Sequence, residues 1–197
     1  MLLFRKFLII VVALFLVSCS TGNGGRMYVN EEADLGFYTR VGVIPLSNLT
    51  NERNASEKVT SSFVTELLML ETVEVANMGD FVRVVDAVMK RDMTDALQEL
   101  HSEDTRIIGE QAQVQGVFIG EVKDYGMVRS GQTQFPLVSV IVRFVDCQTG
   151  VIVWSYETSQ RGGPKFPIFS IGETYTLGAM TTKVCHDVAG SFAKIAK

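Results

Sequence analysis

Apolar and polar residues follow each other along the chain with a period that changes from segment to segment, and each period marks an element. Residues 41–46, VGVIPL, form an apolar run that ends in a cluster of turn-forming residues at 47–54. Such a run suits a strand buried on both faces. From Asn54 the spacing becomes helical, with Val59, Phe63, Val64, Leu67 and Leu68 on one face. Asn54 and Glu57 have the spacing of a capping box, with asparagine in place of serine or threonine. Residues 72–77 alternate around Val73 and Val75 and read as a second strand. Asp80 can cap another helix, with Phe81, Val84, Val85, Val88 and Met89 as its buried stripe. Leu97 and Leu100 point to a short helical piece, and Thr105 is placed to cap a helix carrying Ile107, Ile108 and Ala112.

Beyond residue 115 the texture turns β-rich. Residues 116–125, 138–147 and 151–159 read as three strands, the last two joined tightly through Gln148-Thr149-Gly150. Val138, Val140, Val142 and Phe144 share a face of the middle strand, as do Ile152, Trp154 and Tyr156 in the next. A helix over 173–196 closes the chain, with Leu177, Met180, Val184, Val188, Phe192 and Ile195 at helical spacing. The expected fold class is α/β: a single domain, residues 38–197, with a mixed sheet, an antiparallel C-terminal meander and packed helices. The length of 197 residues, 47% of them hydrophobic, suits one core better than two.

Ahead of the domain, Arg5 and Lys6 precede an apolar stretch at residues 7–16. It is far shorter than the ~20 residues a spanning helix needs. It ends in Leu16-Val17-Ser18-Cys19, which resembles the bacterial lipobox. The resemblance implies a lipoprotein signal peptide over 1–18, cleavage after Ser18 and a covalent lipid on Cys19. Residues 19–37, small, polar and glycine-bearing at first, then read as a lipidated N-terminus and flexible tether. Ser20 stands where an aspartate would imply inner-membrane retention, so the implied address is the outer membrane, with the domain facing the periplasm. Outside the cytoplasm Cys147 and Cys185 can form a disulfide, or pack as two buried free thiols.

The formal net charge of −4 and the absence of any basic cluster longer than Lys90-Arg91 argue against nucleic acid. Of the two histidines, His186 is adjacent to Asp187, and neighbouring helical residues do not face each other. No G-x-S-x-G elbow occurs; Cys185-His186 has Thr182 where a haem motif needs cysteine; Gly162-Gly163 is followed by proline, not by a phosphate-loop helix start. The residues thus offer no catalytic group, metal site, cofactor or small-molecule substrate, and the expectation is a protein that is not an enzyme. Residues 160–172, QRGGPKFPIFSIG, form a candidate partner-binding loop, with Arg161, Lys165, Phe166, Ile168 and Phe169 as its contacts. Burial of its aromatics against the sheet is the alternative.

Residues 40–69, 73–85 and 116–159 together resemble the CsgG-like group of bacterial envelope lipoproteins, related in fold to LpoB and the N-terminal domain of TolB. The resemblance rests on Val41, Val43, Pro45, Asn48 and Thr50, and on Asp146, Thr149, Gly150, Trp154 and Ser155. Gly42, Leu46 and Asn77 depart from the group's alanine, aromatic and arginine. It implies an anticodon-binding-domain-like fold, no catalysis, and work by assembly with envelope protein partners or with copies of itself. Three roles follow: an assembly or scaffolding factor, an oligomeric secretion channel subunit, or an LpoB-like activator of a peptidoglycan synthase. A membrane-spanning hairpin needs two strands of ~9–11 residues. Residues 126–136 and 160–172 are short of that, and 126–136 is mostly polar. The scaffold role is therefore preferred to the channel.

Overall fold

The computed structural model describes residues 25–89, 101–163 and 174–196. The lipobox residues Leu16, Val17, Ser18 and Cys19, the loop residues Lys165, Phe166, Ile168 and Phe169, and the expected helical piece at Leu97 and Leu100 lie outside the described residues.

One mixed sheet organises the chain. Its strands are β1 (Arg26–Val29), β2 (Arg40–Val43), β3 (Ser47–Asn48), β4 (Glu74–Val75), β5 (Gly116–Ser130), β6 (Thr133–Asp146) and β7 (Ile152–Arg161). They lie in the order β1-β7-β6-β5-β2-β4, with β3 also beside β5. β2 is parallel to β4 and β5, whereas β5, β6, β7 and β1 form an antiparallel meander. The expected α/β class and mixed sheet are what the structure shows.

Two layers of helix cover the sheet. Helices α1 (Ala55–Leu70) and α4 (Leu177–Ala193) lie on one face, α2 (Met78–Met89) and α3 (Ser102–Ala112) on the other. β5 sorts its side chains between them by strict alternation: Phe118 and Val122 join the α1/α4 core, Val117 and Ile119 the α2/α3 core. Phe118 is the hub of the larger core. Its ring centroid lies 4.6 Å from Phe144, 4.9 Å from Phe192 and 5.3 Å from Phe63, mostly edge-on, as aromatic quadrupoles prefer.

Several expected boundaries shift. The sheet begins at Arg26, not near Tyr38: β1 pairs antiparallel with β7, and Val29 packs on the α1/α4 core. Residues 26–37, read as tether, therefore belong to the domain; only one of the four strand side chains is even half-buried, so no alternation announced it. α2 starts at Met78, because Asn77 Oδ1 accepts from the amides of Gly79 and Asp80 at 3.0 and 3.2 Å. Asn77, not Asp80, is the cap. Thr105 lies inside α3, where its hydroxyl donates to the His101 carbonyl at 3.0 Å, and does not cap it. Asn54 makes no side-chain cap bond to α1. The last helix begins at Leu177, capped by Thr176.

The disulfide reading of Cys147 and Cys185 is excluded by the sheet. Cys147 belongs to the α2/α3 core and Cys185 to the α1/α4 core, and both are free, buried thiols.

Candidate interaction surface at the hairpin end

Residues 126–136 are not an inserted loop. β5 and β6 stay paired past Tyr125 and Val138 to Ser130 and Thr133, so a β-ribbon projects from one end of the sheet. Residues 131–132 make the turn, and Gly131 takes φ 62°, the conformation a glycine-first two-residue turn requires.

Lys123 sits at a bulge, between the pairs Val122–Val140 and Asp124–Ser139. A bulge inserts one residue and so flips the side-chain alternation beyond it. Tyr125 is thereby turned onto the α1/α4 face, where it is buried and joins the main core. Its ring lies 5.8 Å from Lys58 Nζ, and its hydroxyl 3.4 Å from Thr181 Oγ1. These residues, with Ser61, Ser62 and Thr182, line an open cleft of about 530 Å³ between α1 and α4.

The turn at 47–54 folds against the base of the ribbon, with the Leu49 amide donating to the Val122 carbonyl at 3.0 Å. Asn48 clamps that turn: its Nδ2 donates to the Glu52 carbonyl at 2.8 Å, and its Oδ1 accepts from the amide and hydroxyl of Thr50. The turn reading of Asn48 and Thr50 is thus explained by hydrogen bonds inside the loop. Leu49 is left 62% exposed, beside Met127 at 45%.

β7 ends at the same place. The Gly162 amide donates to the Pro136 carbonyl at 2.7 Å, and the Gly163 amide to Thr174 at 3.2 Å. Arg161 lies 5.8 Å above the Phe135 ring, whose other neighbour is Tyr175 at 6.4 Å. Three segments far apart in sequence, 47–54, 126–136 and the start of 160–172, therefore form one surface. Arg161 is the single described residue of the five nominated in the last loop. Lys58, Tyr125, Phe135 and Tyr175 were not nominated; only the bulge and the ladder bring them here, and neither has a signal in the sequence.

His186 Nδ1 lies 2.8 Å from the buried carboxylate of Glu66, linking α4 to α1, while His101 is exposed at the start of α3. Burial pushes the thiols of Cys147 and Cys185 up to about 12, so neither is a thiolate at neutral pH. Among the described residues no group of three His, Cys, Asp or Glu side chains could hold a metal ion, and no helix is long and apolar enough to cross a membrane.

No family model matches the chain, and no curated protein is similar to it. Solved structures are. The PelC dodecamer from Paraburkholderia phytofirmans is 17% identical with a TM-score of 0.56, over 86% of this chain and 96% of that one. The lipoprotein GNA1162 from Neisseria meningitidis is 18% identical with a TM-score of 0.54, over 77% of this chain and 99% of that one. The LpoB C-terminal domain from Salmonella enterica is more distant, at 16% identity and a TM-score of 0.46 over 66% and 86%. At such identities the likeness is one of fold: the chain shares the fold of PelC and of the GNA1162 lipoprotein.

Proposed function

We propose that this protein is an envelope lipoprotein, anchored to the outer membrane through a lipid on Cys19, that works without catalysis as an assembly or scaffolding factor facing the periplasm. The observation that carries the reading is the join between its two parts. A lipobox-like Leu16-Val17-Ser18-Cys19 precedes, by only a few residues, a domain with the fold of the GNA1162 lipoprotein and of a PelC protein described as a dodecamer. Self-association is the form of assembly favoured here. Among the described residues β1 is an edge of the sheet, with Met27 and Tyr28 about half exposed along it, and a sheet edge is a surface for another chain.

The test is the size and lipidation of the protein purified from its own envelope in mild detergent. The expected result is a Cys19-lipidated species of several copies. A monomer that crosslinks to no envelope protein would overturn the scaffold role. The secretion channel remains the alternative, supported by the dodecameric relative of like fold, and it requires ion conductance from the assembly. The ribbon at 126–136 weighs against it, because Arg129, Ser130, Gln132, Thr133 and Gln134 give neither face an apolar band. Activation of a peptidoglycan synthase rests on the sequence resemblance, and binding of such an enzyme would be its signature.

A further inference from the structure

We infer that the hairpin end of the domain seats on the anionic headgroups of the membrane that carries its anchor; the inference rests on the lipid at Cys19 proposed above. Two independent observations carry it, where the chain enters the domain and how charge is distributed along it.

β1 is antiparallel to β7, with Arg26 opposite Glu157 and Val29 opposite Trp154. Going from Val29 back to Arg26 therefore moves along β7 towards Arg161, so the chain enters the sheet from the hairpin side. Gly25 keeps to that course, its amide donating to Tyr156 Oη at 3.2 Å. The seven Cα-to-Cα steps from Cys19 to Arg26 reach at most about 25 Å when fully extended. Along the ladder Arg161 faces Leu137 and the ribbon turns at 131–132, which at ~3.3 Å per residue places the tip about 33 Å beyond Arg26. With the domain upright on its tether, the ribbon reaches further than the anchor does, and its tip meets the headgroup layer.

The surface that arrives there suits headgroups rather than hydrocarbon. Arg53, Arg129 and Arg161 are exposed at this end and make no ion pair among the described residues, and they outnumber Glu57 and Asp124, the exposed carboxylates there that are likewise outside any ion pair. Ser130, Gln132, Thr133 and Gln134 surround the tip, with Leu49 and Met127 set behind it. The opposite end is acidic on balance: Glu31, Glu32, Asp34 and Glu71 are exposed there without ion pairs among the described residues, against the exposed Lys194. Although the chain as a whole is negative, with a formal charge of −4, its charge is polarised so that the basic end is drawn to an anionic surface and the acidic end repelled.

The experiment uses the full chain expressed in its envelope, purified and reconstituted into vesicles of phosphatidylcholine and phosphatidylglycerol containing a headgroup-nitroxide lipid. Trp154 is the only tryptophan and is fully buried, so it serves as a constant background. Two variants report on the two ends, Thr133→Trp at the ribbon tip and Gln148→Trp in the opposite turn. The expected result is quenching of the T133W emission, with Q148W left at the wild-type level. Combining T133W with Arg53→Glu, Arg129→Glu and Arg161→Glu should reduce that quenching in anionic vesicles. Quenching of Q148W equal to or above that of T133W, or T133W quenching indifferent to the charge reversals, would overturn the inference. The mass of the same preparation separates the two readings: an unmodified Cys19 removes the anchor and the inference with it, whereas a lipidated protein seated by its acidic end removes the inference alone.

Discussion

Tyr38 donates its hydroxyl to Asp146 Oδ2 at 3.0 Å inside the protein, across 108 residues of sequence. The other oxygen of the same carboxylate accepts from the amide and the hydroxyl of Thr149, each at 2.7 Å. One side chain thus ties the approach to β2 to the turn between β6 and β7. The Asp-x-x-Thr-Gly pattern at 146–150 is therefore a turn clamp that also serves the core. Asp146→Ala leaves the buried Tyr38 hydroxyl without a partner and unties the Thr149 amide and hydroxyl, and should lower stability by ~2–4 kcal/mol; Tyr38→Phe, which removes a single bond, should cost ~1–2 kcal/mol. Urea unfolding of the two variants checks the order, and a Tyr38→Phe loss equal to that of Asp146→Ala would contradict it.

Alkaline pH should weaken the fold. Burial and the bond to Asp146 hold the Tyr38 hydroxyl above its ordinary 10.0, and burial lifts both thiols from 9.0 to about 12. All three groups are protonated in the folded protein, and their folded values exceed the unfolded ones. The stability they contribute is complete below about pH 9 and is lost as pH rises through the folded values. The urea midpoint should fall steadily above about pH 9, and less steeply in Tyr38→Phe. A midpoint unchanged up to about pH 11 would refute this.

Gly42 stands where the resembled group has alanine, and the structure gives the reason. A Cβ at this position would lie 2.2 Å from the Phe81 ring of α2. Gly42→Ala should destabilise the protein by ~1–3 kcal/mol through overpacking. Phe81→Leu in the same chain should recover part of that loss, so a double-mutant cycle will show coupling. Strictly additive effects would mean that the ring is not what excludes the methyl group.

The native protein should resist thiol reagents. Cys147 and Cys185 are both buried and free, on opposite faces of the sheet. No thiol of the folded domain should react until denaturant is added, and two should react afterwards, with Cys19 contributing none if it carries its lipid. Titration with a chromogenic disulfide reagent counts them, and a fast-reacting thiol in the lipidated native protein would refute the placement.

Much of the fold was legible because local pattern and burial agree. The helical stripes of Val59, Phe63 and Leu67 and of Met180, Val184, Val188 and Phe192 are buried as their spacing requires. So is the alternation of Val138, Val140, Val142 and Phe144. The errors fall where local signal is weak. β1 buries almost nothing, and the cap of α2 is one asparagine among several polar candidates.

The sequence by itself determined the fold class, one α/β domain with a mixed sheet, and it carries ahead of that domain an apolar stretch ending in a lipobox-like pattern. Those features are local, written in periodicity, composition and spacing. Only the tertiary structure decided that the segments 47–54, 126–136 and the start of 160–172 meet at one end, that Tyr125 turns into a cleft beside Lys58, and that the chain enters the sheet from the same side. The physical reason is register. Which residues face each other across a sheet depends on a bulge at Lys123 and on the partner that β7 finds in β1, and no single stretch of sequence contains either relationship.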